Sequence, residues 1–239
     1  MRFGSIEFSP SRWPSLITLV MFGILMSLGF WQLDRAEQKQ DLLGEFSGGS
    51  EQAPFRLDET MLSFDDLQYQ FATAVGAYDA KRQFLLDNRT HNGIAGYEVL
   101  TPLRLAGGSF AVLVNRGWIP LGASRAQLPE LPVSDEGREV IGRIKRVSLE
   151  GFRLGEEELR EGWPYRIQHV DTDFLGDELG YRLMPIVLLL GPEERDGFVR
   201  EWHPLTFGPE RNVGYAVQWF GLALALAIIY LAVNLHRVK

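Results

Sequence analysis

Apolar side chains are concentrated near the two ends of the chain, in two windows that contain no Asp, Glu, Lys or Arg. The first window covers residues 13–33 and the second covers residues 213–235. A helix of either length spans roughly 30 Å of hydrocarbon at about 1.5 Å per residue, so both windows are predicted to be transmembrane helices. Between them the sequence is polar. We therefore expect a two-pass membrane protein with a large domain between its spans.

The central part divides into a helical extension and a strand-rich region. The sequence DRAEQKQDLLGEF keeps a helical period until SGGSEQAP interrupts it, so residues 34–66 are interpreted as a helical extension and linker. Across residues 67–209 the pattern becomes that of short strands, with turns such as NRTHNG and AGGS between them.

One short helix is predicted within this strand-rich region. The sequence DTDFLGDELG begins with an Asp and ends at Gly180, which are typical helix start and stop signals. The expected fold class is therefore α+β. Two terminal transmembrane helices flank a mainly antiparallel β domain, of barrel or sandwich type, with one or two short helices.

The charges divide along the same lines. Residues 34–212 hold 20 basic and 30 acidic side chains, a net charge of −10, whereas the tails are net basic. Under the positive-inside rule, both termini are expected in the cytoplasm and the central domain in the periplasm, across the inner membrane and in contact with its lipid. The absence of cysteine fits this placement. An acidic central domain argues against nucleic acid as a partner.

The first window also has the pattern of a signal peptide. Ser27-Leu28-Gly29 would be its small-x-small cleavage site. The bulky sequence FWQL directly after that site favours a retained helix instead, because Trp is favoured at the membrane interface.

The signatures of common catalytic sites are missing. The chain contains no G-x-x-x-x-G-K-[ST], H-E-x-x-H, G-x-S-x-G or C-x-x-C motif, so we do not expect an enzyme. The acidic runs Gly155–Leu159 and Asp65-Asp66 are interpreted as solvated charge. The histidines are scattered without the spacing of a metal site, and they are His91, His169, His203 and His236.

VNRGWIP, at Val114–Pro120, is the most distinctive segment of the central domain. One interpretation is a strand end with a glycine bulge and a covering tryptophan. The other is a partner-binding surface built from Arg116 and Trp118, because Arg and Trp are enriched at interaction hot spots. The sequence does not decide between them.

Polar and aromatic residues also meet where the two spans adjoin the central domain. The chain leaves the membrane after the first span and re-enters at the second, so GFWQLDR and RNVGYAVQWFG lie at the same membrane face. On the first helix, Gln32, Arg35 and Lys39 share one face through their i, i+3, i+7 spacing. The second helix repeats this spacing, and the residues are Asn212, Tyr215 and Trp219.

Two interpretations of these span ends stay open. Polar residues within apolar spans mark either helix packing or functional sites. Under the packing interpretation, Gly214, Gly221 and Ala225 would allow the helices to approach closely. Under the functional one, the candidate site comprises Trp31, Gln32, Arg35, Arg211, Asn212, Tyr215, Gln218 and Trp219.

With these segments the chain resembles the Surfeit locus protein 1 family, the cytochrome c oxidase assembly factors of mitochondria and bacteria. The matching segments are LGFWQLDRAEQK, GYEVLTPL, VLVNRGWIP and RNVGYAVQWFGLALA. They occur in the family's order, between terminal membrane helices, over nearly the whole length. The resemblance implies a bacterial assembly factor that acts on the catalytic subunit of a haem-copper oxidase, with the haem a synthesis machinery as a further partner.

Bacterial members are associated with haem a, so the resemblance implies transient contact with this cofactor. Tyr215, Trp219 and Phe220 would pack against the porphyrin, and Arg35 or Arg211 would pair with its propionates. The family's usual axial candidate is a histidine just before the second span. Here Asn212 occupies that position. A carboxamide is a poor iron ligand compared with imidazole, which leaves His203 as an alternative ligand.

Two hypotheses of different classes follow. The first is an assembly factor for a haem-copper oxidase, with or without direct haem contact. The second is a membrane-tethered periplasmic binding module without haem contact, with VNRGWIP as its contact surface.

Overall fold

The computed structural model describes residues 2–3, 6–49, 53–58, 63–122, 128–147, 162–204 and 207–237. The charged run at Gly155–Leu159 lies outside these residues. The chain divides into two compact units. A helical unit comprises Met1–Gly44 and Pro204–Lys239, and a strand-rich unit comprises Glu45–His203.

The helical unit is built from two helices, each long and apolar enough to cross a membrane. They are α1 (Arg12–Gly48) and α3 (Glu210–Asn234). Three short strands join the two tails, with β2 (Ile6–Phe8) between β1 (Arg2–Phe3) and β11 (Leu235–Arg237). Because β2 precedes α1 and β11 follows α3, both tails lie at the same end of the helix pair.

α1 and α3 pack along a seam of small residues. Gly29 and Ala36 are buried on α1, and Ala216 and Ala223 are buried on α3. Each pair is seven residues apart, which is the period of helices that wrap around each other as in a coiled coil. A Cβ atom added at Gly29 would overlap the ring of Phe220, so the glycine gives this ring room to pack against α1.

The prediction that Gly214, Gly221 and Ala225 allow the second span to pack closely against the first is wrong. Gly214, Gly221 and Ala225 are all exposed, and a Cβ atom added at either glycine meets nothing within 4 Å. The physical reason is periodicity. The seam follows the seven-residue repeat of Ala216 and Ala223, and the predicted residues fall on the outer face of α3.

Besides a 3-10 turn at Asp65–Leu67, the described residues of the strand-rich unit form eight strands and one α-helix. They are β3 (Phe55–Arg56), β4 (Phe71–Tyr78), β5 (Phe84–His91), β6 (Ile94–Leu105), β7 (Phe110–Pro120), β8 (Arg138–Arg146), β9 (Tyr165–Ile167), α2 (Thr172–Leu179) and β10 (Arg182–Leu190). The predicted helix is confirmed. Asp171 caps its first turn by accepting hydrogen bonds from the Asp173 and Phe174 amides, at 3.2 and 3.1 Å, and Gly180 ends it with a φ of 74°.

Five of these strands close into a barrel, in the order β4, β8, β10, β7, β6 and back to β4. The β7–β10 pair is parallel and the other pairs of the barrel are antiparallel. The expected fold class is therefore confirmed, and the β domain is a barrel and not a sandwich. β3, β5 and β9 extend the sheet beyond it.

Apolar side chains fill the barrel and also cover part of its outside. Along β4, buried and partly buried residues alternate, which places Ala72, Ala74 and Tyr78 in the interior. A second apolar cluster lies on the outer face, where Leu175 and Leu179 of α2 pack with strand residues such as Val187.

Barrel closure requires a glycine at position 76. Gly76 pairs with Leu105 across the β4–β6 junction, and an added Cβ atom would overlap the carbonyl oxygen of Arg104. We expect Gly76→Ala to lower the free energy of unfolding by about 1–3 kcal/mol, since backbone atoms must move to admit the methyl group. Guanidinium unfolding of the detergent-solubilised protein, followed by tryptophan fluorescence, measures this.

Gly137→Ala is the matched control for this prediction. Gly137 directly precedes β8, and a Cβ atom added there meets nothing within 4 Å. Equal unfolding midpoints for Gly76→Ala and Gly137→Ala would contradict a role of Gly76 in closure.

Candidate functional site

A hydrogen-bonded network joins α1 and α3 at the end of the pair opposite the tails. Asn212 accepts a hydrogen bond on Oδ1 from the Lys39 ammonium at 2.7 Å, and its Nδ2 donates to Oε1 of Gln32 at 2.7 Å. Three of the residues on the two predicted faces therefore meet. Lys39 does not belong to the candidate site predicted from the sequence, although its spacing of seven residues from Gln32 indicates a place on the seam.

Arg35 and Tyr215, also predicted on these faces, lie beside the seam. The Arg35 guanidinium lies 5.9 Å from the centroid of Trp31, and Arg211 lies 5.9 Å from the ring of Tyr215. Trp31 is 51% exposed and Tyr215 is 39% exposed. We call Trp31 with Arg35, and Tyr215 with Arg211, the two aromatic–cation pairs.

The remaining candidates differ in their exposure. Trp219 is partly buried, at the seven-residue spacing from Asn212 that defines the seam. Gln218 is exposed, and within the described part of the chain it has no hydrogen-bond partner. An amide without a partner is costly in an apolar medium, so Gln218 is not explained by the packing of α1 against α3.

The seam around Asn212 does not fit an axially ligated haem. Both polar atoms of the Asn212 side chain are already hydrogen bonded. The other seam residues near this position are Gln32, Ala36, Lys39, Ala216 and Trp219, and they include no His, Cys, Met or Tyr, the side chains that commonly ligate haem iron. The alternative ligand, His203, is exposed and belongs to the strand-rich unit. Among the described residues there is also no group of three His, Cys, Asp or Glu that would hold a metal ion.

Arg116 is buried inside the strand-rich unit. Its side chain, 1% exposed, donates to the carbonyl oxygens of Asp196 and Pro132, at 2.8 and 2.9 Å, and to Oε1 of Gln83 at 3.0 Å. Burial lowers the pKa of its guanidinium, and the nearby Tyr78 and Asp196 act in the opposite direction. The structure therefore gives Arg116 an internal role and does not place it on a contact surface.

Trp118 follows a bulge in β7. The register between β6 and β7 shifts between Glu98 and Leu100, opposite Arg116 and Gly117, and Gly117 has a φ of 114°. The Trp118 ring lies against Gly96, and its centroid is 5.2 Å from that of His91. The glycine bulge and covering tryptophan predicted from VNRGWIP are present, although β7 continues through the bulge to Pro120.

The network around Asn212 generates one prediction. Asn212→Leu removes both interhelical hydrogen bonds and leaves the Lys39 ammonium without its acceptor. We expect the helix pair to lose about 1 kcal/mol of stability, measured by SDS-induced unfolding in mixed micelles. Gln218→Leu is the matched control, because it removes an amide from the same helix without breaking a bond. Equal losses for the two variants would contradict a stabilising role of the network.

Tyr78, next to Arg116, generates a prediction on pH. Burial raises the pKa of Tyr78 from 10.0 to about 12, although Arg116 and Arg138 oppose the shift. Below pH 10.0, the pKa of Tyr78 in the unfolded chain, the phenol is protonated in both the folded and the unfolded state. Between pH 10.0 and about 12 it ionises in the unfolded state but stays protonated in the folded state. Stability should therefore fall as pH rises through this window, and Tyr78→Phe should avoid about 3 kcal/mol of that loss.

The measurement for Tyr78 is a set of guanidinium unfolding curves taken below, within and above this window. Tyr78→Phe should match the unsubstituted protein at the lowest pH and exceed it at the highest. Parallel pH profiles for the two proteins would contradict the raised pKa.

Comparisons with known proteins agree with this architecture. The model of the SURF1 family matches residues 19–224. A SURF1-like protein of Rickettsia felis is 24% identical over 224 residues, which cover 90% of this chain and 94% of that protein. Surfeit locus protein 1 of Takifugu rubripes is 22% identical over 240 residues, covering 94% of this chain and 96% of that protein.

A third similarity covers a shorter stretch. A SURF1-like protein of Monosiga brevicollis is 29% identical over 153 residues, and the match spans 59% of this chain and 54% of that protein. The family match, by contrast, runs from within α1 to within α3 and takes in the whole barrel. The chain therefore belongs to the SURF1 family.

Proposed function

We propose that this protein is a non-enzymatic assembly factor that helps to mature the catalytic subunit of a haem-copper terminal oxidase. Membership of the SURF1 family supports the role. The observation that carries it is the exposure of polar and aromatic groups on the helix pair, outside the seam. We assign these groups to contact with a membrane helix of the oxidase subunit.

The distinction between seam and outer face supports this assignment. Groups needed to hold α1 against α3 are buried or hydrogen bonded, as Asn212 illustrates. Trp31, Tyr215 and Gln218 are not used in this way, and all three are exposed. Trp, Tyr and Arg are enriched at interaction hot spots, and Trp and Tyr are also favoured at membrane interfaces. An experiment must therefore separate partner contact from lipid anchoring.

The proposed placement is an inner membrane crossed twice, with the barrel in the periplasm and both tails in the cytoplasm. The net basic charge of the tails supports this orientation. The pairing of β2 with β11 supports tails that share one side of the membrane.

The role toward haem a is proposed as positioning of the subunit that receives it, without an axial ligand from the helix pair. Both polar atoms of the Asn212 side chain are already hydrogen bonded within the helix pair, which supports this form of the proposal. Trp31, Tyr215, Arg35 and Arg211 remain available for contact with the porphyrin edge or propionates during transfer.

Complementation of a deletion strain without other family members tests the proposal. We expect the deletion to lower oxidase activity and haem a content in membranes, and the unsubstituted protein to restore both. Trp31→Ala and Gln218→Leu should restore oxidase activity several-fold less well, at equal protein levels, because each removes an outer-face contact with the subunit. Trp13→Ala is the matched control, since Trp13 is an exposed tryptophan at the opposite end of α1.

The outcomes separate the parts of the proposal. Normal oxidase in the deletion strain would overturn it. Equal failure of Trp13→Ala and Trp31→Ala would assign both residues to lipid anchoring. An absorption spectrum of the protein, purified from cells that make haem a, tests the haem component. A ligated haem whose band is lost in Asn212→Ala would contradict the role given to this residue.

A further inference from the structure

The strand-rich unit contains a cavity of about 310 Å³ that the proposed function does not use. This volume lies at the lower end of the range typical of small-molecule sites. Its apolar floor is formed by neighbouring strands and loops, and the residues are Leu86, Leu100, Val147, Val170 and Val187. Glu98 and Asn115 also line it, and they belong to GYEVLTPL and VLVNRGWIP, two of the segments that distinguish the sequence.

The polar wall of the cavity is preorganised. Asn115 is 2% exposed, and its Nδ2 donates to Oε2 of Glu98 at 2.6 Å. Its Oδ1 accepts a hydrogen bond from the Gly117 amide at 3.1 Å, which ties this wall to the bulge in β7. The Glu98 carboxylate is thus held in place by Asn115 of the neighbouring strand, and its Oε2 atom is already engaged as an acceptor.

Two cationic groups in the wall retain donor capacity. The Nε atom of Arg89 is buried without a hydrogen-bond partner in the described structure, and it lies 3.9 Å from Oε1 of Glu98, beyond hydrogen-bond distance. Lys145 is exposed and lines the same cavity. Within the described residues it forms no ion pair. A buried donor without an acceptor is costly, so an acceptor brought by a ligand would be favourable.

The charge balance of the wall favours an anion. The cavity lining includes three cationic residues, Arg89, Lys145 and Arg146, and two acidic residues, Glu98 and Asp171, which leaves one excess positive charge. The Asp171 carboxylate already accepts two backbone amides at the start of α2. The acidic groups are therefore engaged by the protein, whereas Arg89 and Lys145 offer donors to the cavity.

We propose that this cavity binds a small organic carboxylate with an apolar chain. The carboxylate would accept hydrogen bonds from Arg89 and Lys145, and the chain would lie over Leu100 and Val187. The apolar floor distinguishes this ligand class from inorganic anions, which have no chain to bury. The volume corresponds to roughly ten water molecules, which suits a chain of up to about eight carbons and excludes a porphyrin.

Fluorine NMR on the full-length protein in lipid nanodiscs tests this site. The probe is octanoate with a terminal trifluoromethyl group, and empty nanodiscs report its partition into lipid. We expect saturable binding beyond that of empty nanodiscs. Lys145→Gln and Arg89→Gln should each weaken it by about tenfold, as expected for loss of a charged hydrogen bond. Lys81→Gln, an exposed lysine outside the cavity, should leave it unchanged.

Each outcome supports or overturns the assignment. Octanol with the same trifluoromethyl group should bind much more weakly, and equal binding would overturn the carboxylate class. Displacement of the probe by an equal concentration of inorganic phosphate would overturn the role of the apolar floor. Binding no greater than to empty nanodiscs, or unchanged in both cavity variants, would overturn the site. None of these measurements involves an oxidase, so the proposed function stands or fails separately.

Discussion

The backbone pairing of β4 with β6 is the constraint on which the strand-rich unit depends. It joins the two ends of a five-stranded sheet, and it is possible only because Gly76 lets the carbonyl oxygen of Arg104 approach closely. Once the sheet is closed, one face of each strand becomes an interior, and large apolar side chains fill it. The other face becomes available for α2 and for the small cavity beside it.

Closure of the barrel also determines the buried environment of the Arg116 side chain. A buried guanidinium needs acceptors for its N–H groups, and the backbone carbonyl oxygens of Pro132 and Asp196 and the side-chain oxygen of Gln83 supply them. The bulge at Gly117 turns the chain so that Arg116 points inward while Trp118 lies on the outside against Gly96. The bulge in β7 thus directs Arg116 into the interior and Trp118, two positions later, to the outside.

The sequence predicted the elements better than their contacts. The two apolar helices, the strands and α2 with its Asp171 and Gly180 caps follow from local patterns of period and capping. Barrel closure does not, because it depends on a pairing between residues far apart in the chain, such as Gly76 and Leu105. The local pattern around Arg116 is compatible with a surface position, because its burial depends on loops that local pattern cannot place. The packing glycines of α3 were misassigned because exposed and buried small residues look alike until the partner helix defines the face.

Asn212 and Gln218 are polar residues of the same helix with different surroundings: Asn212 is hydrogen bonded within the helix pair, whereas Gln218 is exposed on its outer face. Hydrophobic burial does not drive two helices together within lipid, so close packing and satisfied polar groups must do so. Asn212 meets this requirement through Lys39 and Gln32, which gives it a structural reason at the position where the family resemblance placed a ligand. Gln218, on the outer face, has no such reason within the described chain. Under the proposed function, a helix of the oxidase subunit would supply the missing partner during assembly and withdraw it afterwards. A residue that must release its partner cannot also be buried in a permanent seam, so the exposure of Gln218 is what a transient contact requires.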